Sequence, residues 1–151
     1  MDLKNLYNNF ISEGYTNFYI EGIVGTMKND VHCLGFDNQN WTVYYTERGI
    51  KSKPIFSTAD KEVAMAYYSE FVSKIEHWHL IAFTRSNKIL DDFKYKLEQL
   101  GIKTIQNDIP NFRLTVDRVY RLFVIDKDIF IAKKHIENIP YFDTDLKNYM
   151  K

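Results

Sequence analysis

From Asn40 to Thr46 the chain alternates strictly. Trp41, Val43 and Tyr45 fall on one parity and Thr42, Tyr44 and Thr46 on the other, the period-two pattern of a strand with one face in a core. Aromatic and β-branched side chains suit that pleated surface. Glu47, Arg48 and Gly49 break the pattern, and the glycine supplies the positive φ that a tight turn needs. Pro54 cannot donate to a ladder, which predicts an edge or the start of a short second strand. Ser57-Thr58-Ala59-Asp60 has the form of a capping box, so a helix is expected to begin near Thr58. Val63, Tyr67, Phe71 and Ile75 recur at i+4 in it, with Ala64, Tyr68 and Val72 beside them, giving one wide apolar face.

The flanking segments follow the same two periods. Leu3, Leu6, Tyr7, Phe10 and Ile11 make a short amphipathic helix that Gly14 is placed to end. Phe18 and Ile20, continued by Gly22 and Val24, share one face of a strand. Residues 31–36 form another, and Asp37-Asn38-Gln39-Asn40 is a polar turn into the Trp41 strand. Three antiparallel strands and a helix are therefore expected in the first half.

In the second half, residues 80–84 read as a strand. Ser86 caps a helix over 87–100 with Leu90, Phe93, Leu97 and Leu100 as its buried stripe and Gly101 just past its end. Residues 102–106 read as a strand, 107–111 as a loop, and 118–125 as a strand bounded by Asp117 and Asp126. Asp126 or Asp128 then caps a helix bearing Ile129, Ala132, Lys133, Ile136 and Ile139, which Pro140 ends. Strand, helix, strand, strand, helix is close to a ferredoxin-like split βαβ unit whose last strand is missing or supplied elsewhere. The expected fold is α+β, an antiparallel sheet with helices packed on one side. It forms one domain over 1–151, with 1–76 and 77–151 as possible subdomains.

Composition narrows the function. A chain of 151 residues buries about 70% of its unfolded surface and needs no staple. Twenty basic residues balance 20 acidic ones, so no global field draws nucleic acid or an anionic membrane, and neither is an expected partner. The single Cys33 excludes an internal disulfide framework and fits a reducing compartment. MDLKNLYNNF lacks the regions of a signal peptide and no apolar run approaches membrane-spanning length, so a cytoplasmic location is expected.

Candidate chemistry is sparse. On a strand His77 and His79 would share a face about 7 Å apart, which is compatible with a metal, but third and fourth ligands at recognisable spacing are missing. His32 and Cys33, being adjacent, would point to opposite faces. Glu47 and Arg48 could clamp a ligand or simply form a solvated ion pair. Arg118 and Arg121, with Arg113 nearby, could meet phosphate, but 118 and 121 differ in parity. No glycine-rich phosphate loop, nucleophile elbow, HExxH or CxxC is present. No catalytic residue, metal or cofactor is therefore expected.

Two stretches have the composition of a docking surface. Tyr141, Phe142 and Tyr149 mix with Asp143 and Asp145 in the tail, and Asp91 and Asp92, with Glu98 one to two turns on, give the 87–100 helix an acidic start. Simple packing of the tail and complementation of a helix dipole account for the same residues.

The segment WTVYYTERGIKSKPIFSTADKEVAMAYYSEF resembles the strand, YxxERG turn and helix of small immunity proteins from bacterial polymorphic toxin and contact-dependent growth inhibition systems. NDIP and DRVYRLFVIDKDI resemble sequences that accompany it there. The resemblance implies a cytoplasmic protein that binds and neutralises one cognate toxin, often a nuclease, without chemistry of its own. It transfers no interface residues. From the residues themselves, the contact candidates are the exposed members of Tyr44, Glu47, Arg48, Asp91, Asp92, Tyr141, Phe142, Asp143 and Asp145. The alternative is a small metal- or ligand-binding enzyme or regulator using the His77/His79 and Glu47/Arg48 regions.

Overall fold

The structure is a computed structural model that describes residues 2–23, 25, 27–109 and 118–150. Val24, Arg113 and Asp117, which carry sequence expectations, lie outside the described residues, as does the end of the 107–111 loop. The chain is α+β, with helices packed against mainly antiparallel sheets. It divides into two compact units, Met1–Glu76 with Thr144–Lys151, and His77–Asp143.

The first unit opens with α1 (Leu3–Ser12), capped by the Asp2 carboxylate, which accepts from the Asn5 N–H at 2.8 Å. Gly14, at φ 76°, ends it: its own N–H donates to Ile11 and that of Tyr15 to Phe10, a Schellman closure. The strands are β1 (Tyr19–Ile20), β2 (Val31–Asp37), β3 (Asn40–Glu47), β4 (Ile50–Lys51) and β5 (Phe56–Thr58). They lie in the order β1-β2-β3-β4, with β5 also on β3. The sequence predicts an antiparallel first pair, yet β1 runs parallel to β2. A parallel pair requires the chain to return along the sheet between its strands, so both start from the same end. The β2–β3 turn places Asn38 and Gln39 at φ 50° and 66°, and the β3–β4 turn places Arg48 and Gly49 at 50° and 79°. Both are two-residue turns whose twist matches a hairpin.

Helix α2 (Lys61–Ser73) starts later than the capping-box reading predicts. Phe56 and Thr58 pair with Val43 and Trp41, so Ser57 is held in the ladder opposite Thr42. Asp60 caps instead, its Oδ1 accepting from the N–H groups of Glu62 and Val63 at 2.9 and 3.2 Å. The buried stripe turns by one residue to Ala64, Met65, Tyr68 and Val72, leaving Val63 exposed. Tyr67 and Phe71 edge that stripe, with Phe56 stacked on Tyr67 at 3.9 Å. Tyr68 is fully buried; its hydroxyl donates to the His32 carbonyl at 2.6 Å and accepts from the Tyr19 N–H at 3.1 Å, tying β1 and β2 to α2. Phe10 of α1 packs on Phe18 and Tyr68, and α5 (Thr144–Tyr149) returns to α1.

The second unit contains β6 (Trp78–Thr84), α3 (Asn87–Gln99), β7 (Ile105–Gln106), β8 (Tyr120–Ile125) and α4 (Asp128–His135). The strand order is β6-β8-β7 with antiparallel neighbours, so β6 and β7 run parallel on either side of β8 and α3 joins them. That is a βαβ connection split by an inserted strand. Ser86 caps α3 as expected, accepting from the Ile89 N–H at 3.2 Å. β7 is shorter than the sequence predicts because the N–H groups of Gly101 and Ile102 are spent closing α3 on Glu98 and Leu97. Asp126 is not a helix cap. At φ 51° it exchanges bonds with His77, its N–H donating to the His77 carbonyl at 2.9 Å and its carboxylate accepting from the His77 N–H at 3.1 Å. His79, Ile81, Ala82, Leu122 and Val124 are buried on one face of this sheet; Gln106, at the same side of the ladder, accepts from Lys94 of α3 at 2.9 Å.

Candidate functional site

The face of the first sheet turned away from α2 gathers polar groups from separate elements. Ladder pairing puts Cys33 opposite Tyr44, Gly35 opposite Thr42 and Lys51 opposite Thr46. Just past β1, the Glu21 N–H donates to the Leu34 carbonyl at 3.0 Å, which holds its side chain over β2. A Cβ on Gly35 would collide with the Glu21 carboxylate and come within 3.1 Å of the Tyr44 ring. Glycine at this strand position therefore makes room for the acid.

Glu21 Oε1 accepts from the Tyr44 hydroxyl and, at 2.8 Å, from Lys51 Nζ. The ammonium also lies 4.9 Å above the Tyr44 ring. Burial alone would raise the Glu21 pKa; hydrogen bonds from Lys51 and Tyr44 outweigh it and hold the carboxyl below its ordinary value. Burial, reinforced by that carboxylate, pushes the Tyr44 phenol up, and burial raises the Cys33 thiol to about 11. The bond to Glu21 raises Lys51. At neutral pH this is a fixed pattern of carboxylate, ammonium, phenol and thiol. None of the four is tuned to exchange a proton near neutrality, where general acid–base catalysis works best.

Glu21, Tyr44 and Lys51, but not Cys33, line a groove of about 400 Å³ that is also lined by Asp37, Asn40, Thr42 and Ser57. The β3–β4 hairpin lies beside it with Glu47 and Arg48 exposed at and next to its tip, and Asn29 accepts from the Gly49 N–H at 3.2 Å.

The contact candidates scatter. Glu47 and Arg48 share the hairpin, Asp91 and Asp92 are exposed on α3, and Tyr141 is exposed before α5. Phe142 is half-buried under Lys133, whose ammonium lies 5.3 Å from its ring. Tyr44, Asp143 and Asp145 are buried and so drop out of any exposed docking set. Tyr44 lies on the face turned away from α2, with Glu21 bonded to its hydroxyl and Lys51 over its ring. Asp145 lies on the buried side of α5, 3.9 Å from Lys28 Nζ. His77 and His79 are buried in the second unit, and among the described residues no group of three or more His, Cys, Asp or Glu is arranged to hold a metal ion. Arg118 pairs with Asp108 at 3.4 Å, whereas Arg121 Nε donates to the Asn107 carbonyl at 2.8 Å. The sequence reading missed Glu21 and Lys51 altogether; the one local signal was Gly35, a lone glycine inside a strand.

No protein-family model, no curated protein and no solved structure matches this chain. No helix among the described residues is long and apolar enough to cross a membrane.

Proposed function

We propose that this chain is a cytoplasmic immunity protein that binds and neutralises one cognate bacterial toxin domain, such as a nuclease, and performs no chemistry of its own. The observation that carries the reading is the fold of the segment that resembles such proteins. It is one contiguous piece, β3 to α2, whose ERG turn presents Glu47 and Arg48 to solvent beside the polar groove. Three titratable groups of that groove support a recognition role over a catalytic one: burial pushes the Tyr44 phenol up, Lys51 and Tyr44 hold the Glu21 carboxyl below its ordinary value, and Glu21 raises Lys51.

The test is to co-express and then titrate the purified chain with the product of the adjacent upstream reading frame. One-to-one nanomolar binding that abolishes the toxicity of that product is expected. A toxic neighbour that neither binds nor is neutralised would refute the reading. Metal analysis of the same preparation checks the alternative: stoichiometric zinc lost on replacing His77 and His79 would favour a metal-dependent protein.

A further inference from the structure

The second sheet has a face of a different kind. Pairing across the ladder places Trp78, Leu80 and Phe83 of β6, Ile105 of β7, and Arg121, Phe123 and Ile125 of β8 on the side opposite Leu122 and Val124. The Ile109–Val119 bridge extends that side. A sheet face solvated on one side ordinarily alternates to polar residues there, yet this one is apolar apart from Arg121. It is also open: Trp78, Phe83 and Ile109 remain 42%, 54% and 41% exposed. An apolar patch of this kind on a soluble protein marks an interaction site.

Its occupant is constrained by Arg121. The guanidinium lies 5.7 Å from the Phe123 ring centroid, Phe123 is itself packed on Trp78 at 5.2 Å, and one N–H donates to Asn107. Among the described residues Arg121 makes no ion pair, although guanidinium has five donors suited to a carboxylate. A second copy of this chain would bring the same apolar face and another arginine, with no carboxylate to meet it. A nucleic acid would find stacking partners in Trp78, Phe83 and Phe123, but Leu80, Ile105, Ile109, Val119 and Ile125 offer none. Aromatic anchors with an arginine, set in aliphatic surroundings, are the composition of a protein–protein hot spot.

We infer that this face of the second sheet is the docking surface for the toxin domain, which presents an apolar patch centred on a carboxylate that pairs with Arg121. The inference rests on the immunity reading and specifies its contact. Trp78 and Phe83 enter the partner's apolar patch, and Arg121 fixes the register of the complex by its charge.

The experiment titrates the upstream gene product against the full chain and against Arg121→Glu, Phe83→Ala and, as a comparison, Lys4→Ala at an exposed position of α1. Thermal melts establish that each variant is folded. Arg121→Glu is expected to weaken binding at least 100-fold and Phe83→Ala about tenfold or more, while Lys4→Ala changes it less than threefold. Wild-type binding that survives both face substitutions within threefold would overturn this assignment and leave the immunity reading standing. No wild-type binding would remove both. Light scattering showing a wild-type dimer that Arg121→Glu dissolves would assign the face to a second copy and overturn the proposal. Binding of a single-stranded oligonucleotide that is lost in the same variants would overturn it in favour of nucleic acid.

Discussion

Each unit has an antiparallel ladder with one face packed against helices, and the two differ in what the other face does with its polar groups. In the first sheet the acid, the phenol and the amine that reach the outer face satisfy one another: Glu21 accepts from both Tyr44 and Lys51. In the second sheet the outer face is apolar and its one charged side chain, Arg121, has no carboxylate partner among the described residues. Burying an unsatisfied charge or polar group is costly, whereas a network that closes on itself stabilises the fold it sits in. The first face is thus complete as it stands, while the second gains most from something placed against it.

The largest expected effect separates the two faces of the second sheet. Leu122, fully buried on the helix side, should cost about 2–5 kcal/mol when replaced by alanine, because its cavity cannot close. Phe83 removes more volume but from solvent, so Phe83→Ala should change stability by about 0.5 kcal/mol or less. Urea denaturation of both variants measures this directly. Equal losses would mean that the Phe83 face is as buried as the other and would end the comparison.

A smaller effect tests whether the first face is self-satisfied. Tyr44→Phe deletes the hydroxyl that donates to Glu21 and leaves Lys51 as the remaining side-chain donor. About 1–2 kcal/mol should be lost at neutral pH, discounted from the value for a fully buried charged bond because water reaches this carboxylate. The same change shifts the acid limb. Glu21 has a folded pKa below its ordinary 4.5, so its contribution is present above that value and lost as pH falls through the folded pKa. Without the hydroxyl the folded pKa rises towards the ordinary value, less stability depends on ionisation, and the acid limb flattens. A profile unchanged by Tyr44→Phe would show that Lys51 alone holds the carboxylate.

These residues also show what a sequence read locally can reach. The helices α1, α3 and the hairpin at Gly49 are legible because their signals lie within a few residues: an apolar stripe followed by Gly14 in α1, and Ser86 before the stripe with Gly101 after it in α3. The displaced start of α2 is a competition, in which Ser57 looks like a cap until its neighbours pair with β3. Of the polar face, the lone strand glycine Gly35 was the one local sign. Glu21 and Tyr44 are brought together by a parallel pair of two residues that no local pattern announces. Likewise the apolar run 118–125 announces a strand, but only the register with β6 and β7 shows that Phe123 joins Trp78 and Ile105 on an open face while Leu122 does not.

The smallest effect concerns the hairpin, where folding and the proposed recognition would make opposite demands. Arg48 sits at φ 50°, a left-handed conformation that costs a side chain with a Cβ about 1–2 kcal/mol and that asparagine adopts more readily. Arg48→Asn creates the favoured Asn-Gly pair and should raise stability by a few tenths of a kcal/mol, roughly 0.5 at most. A turn selected only for folding would already hold asparagine there. If arginine is kept for its exposed charge in the proposed immunity role, Arg48→Asn should slow association with the proposed toxin partner less than tenfold and reduce the salt dependence of the on-rate, with little change in dissociation. Stopped-flow association at two ionic strengths, beside a thermal melt, separates the two contributions. A variant that gains stability and associates at the wild-type rate would show that the charge of Arg48 is not part of recognition, leaving the hairpin as scaffold and the open face of the second sheet as the place to look.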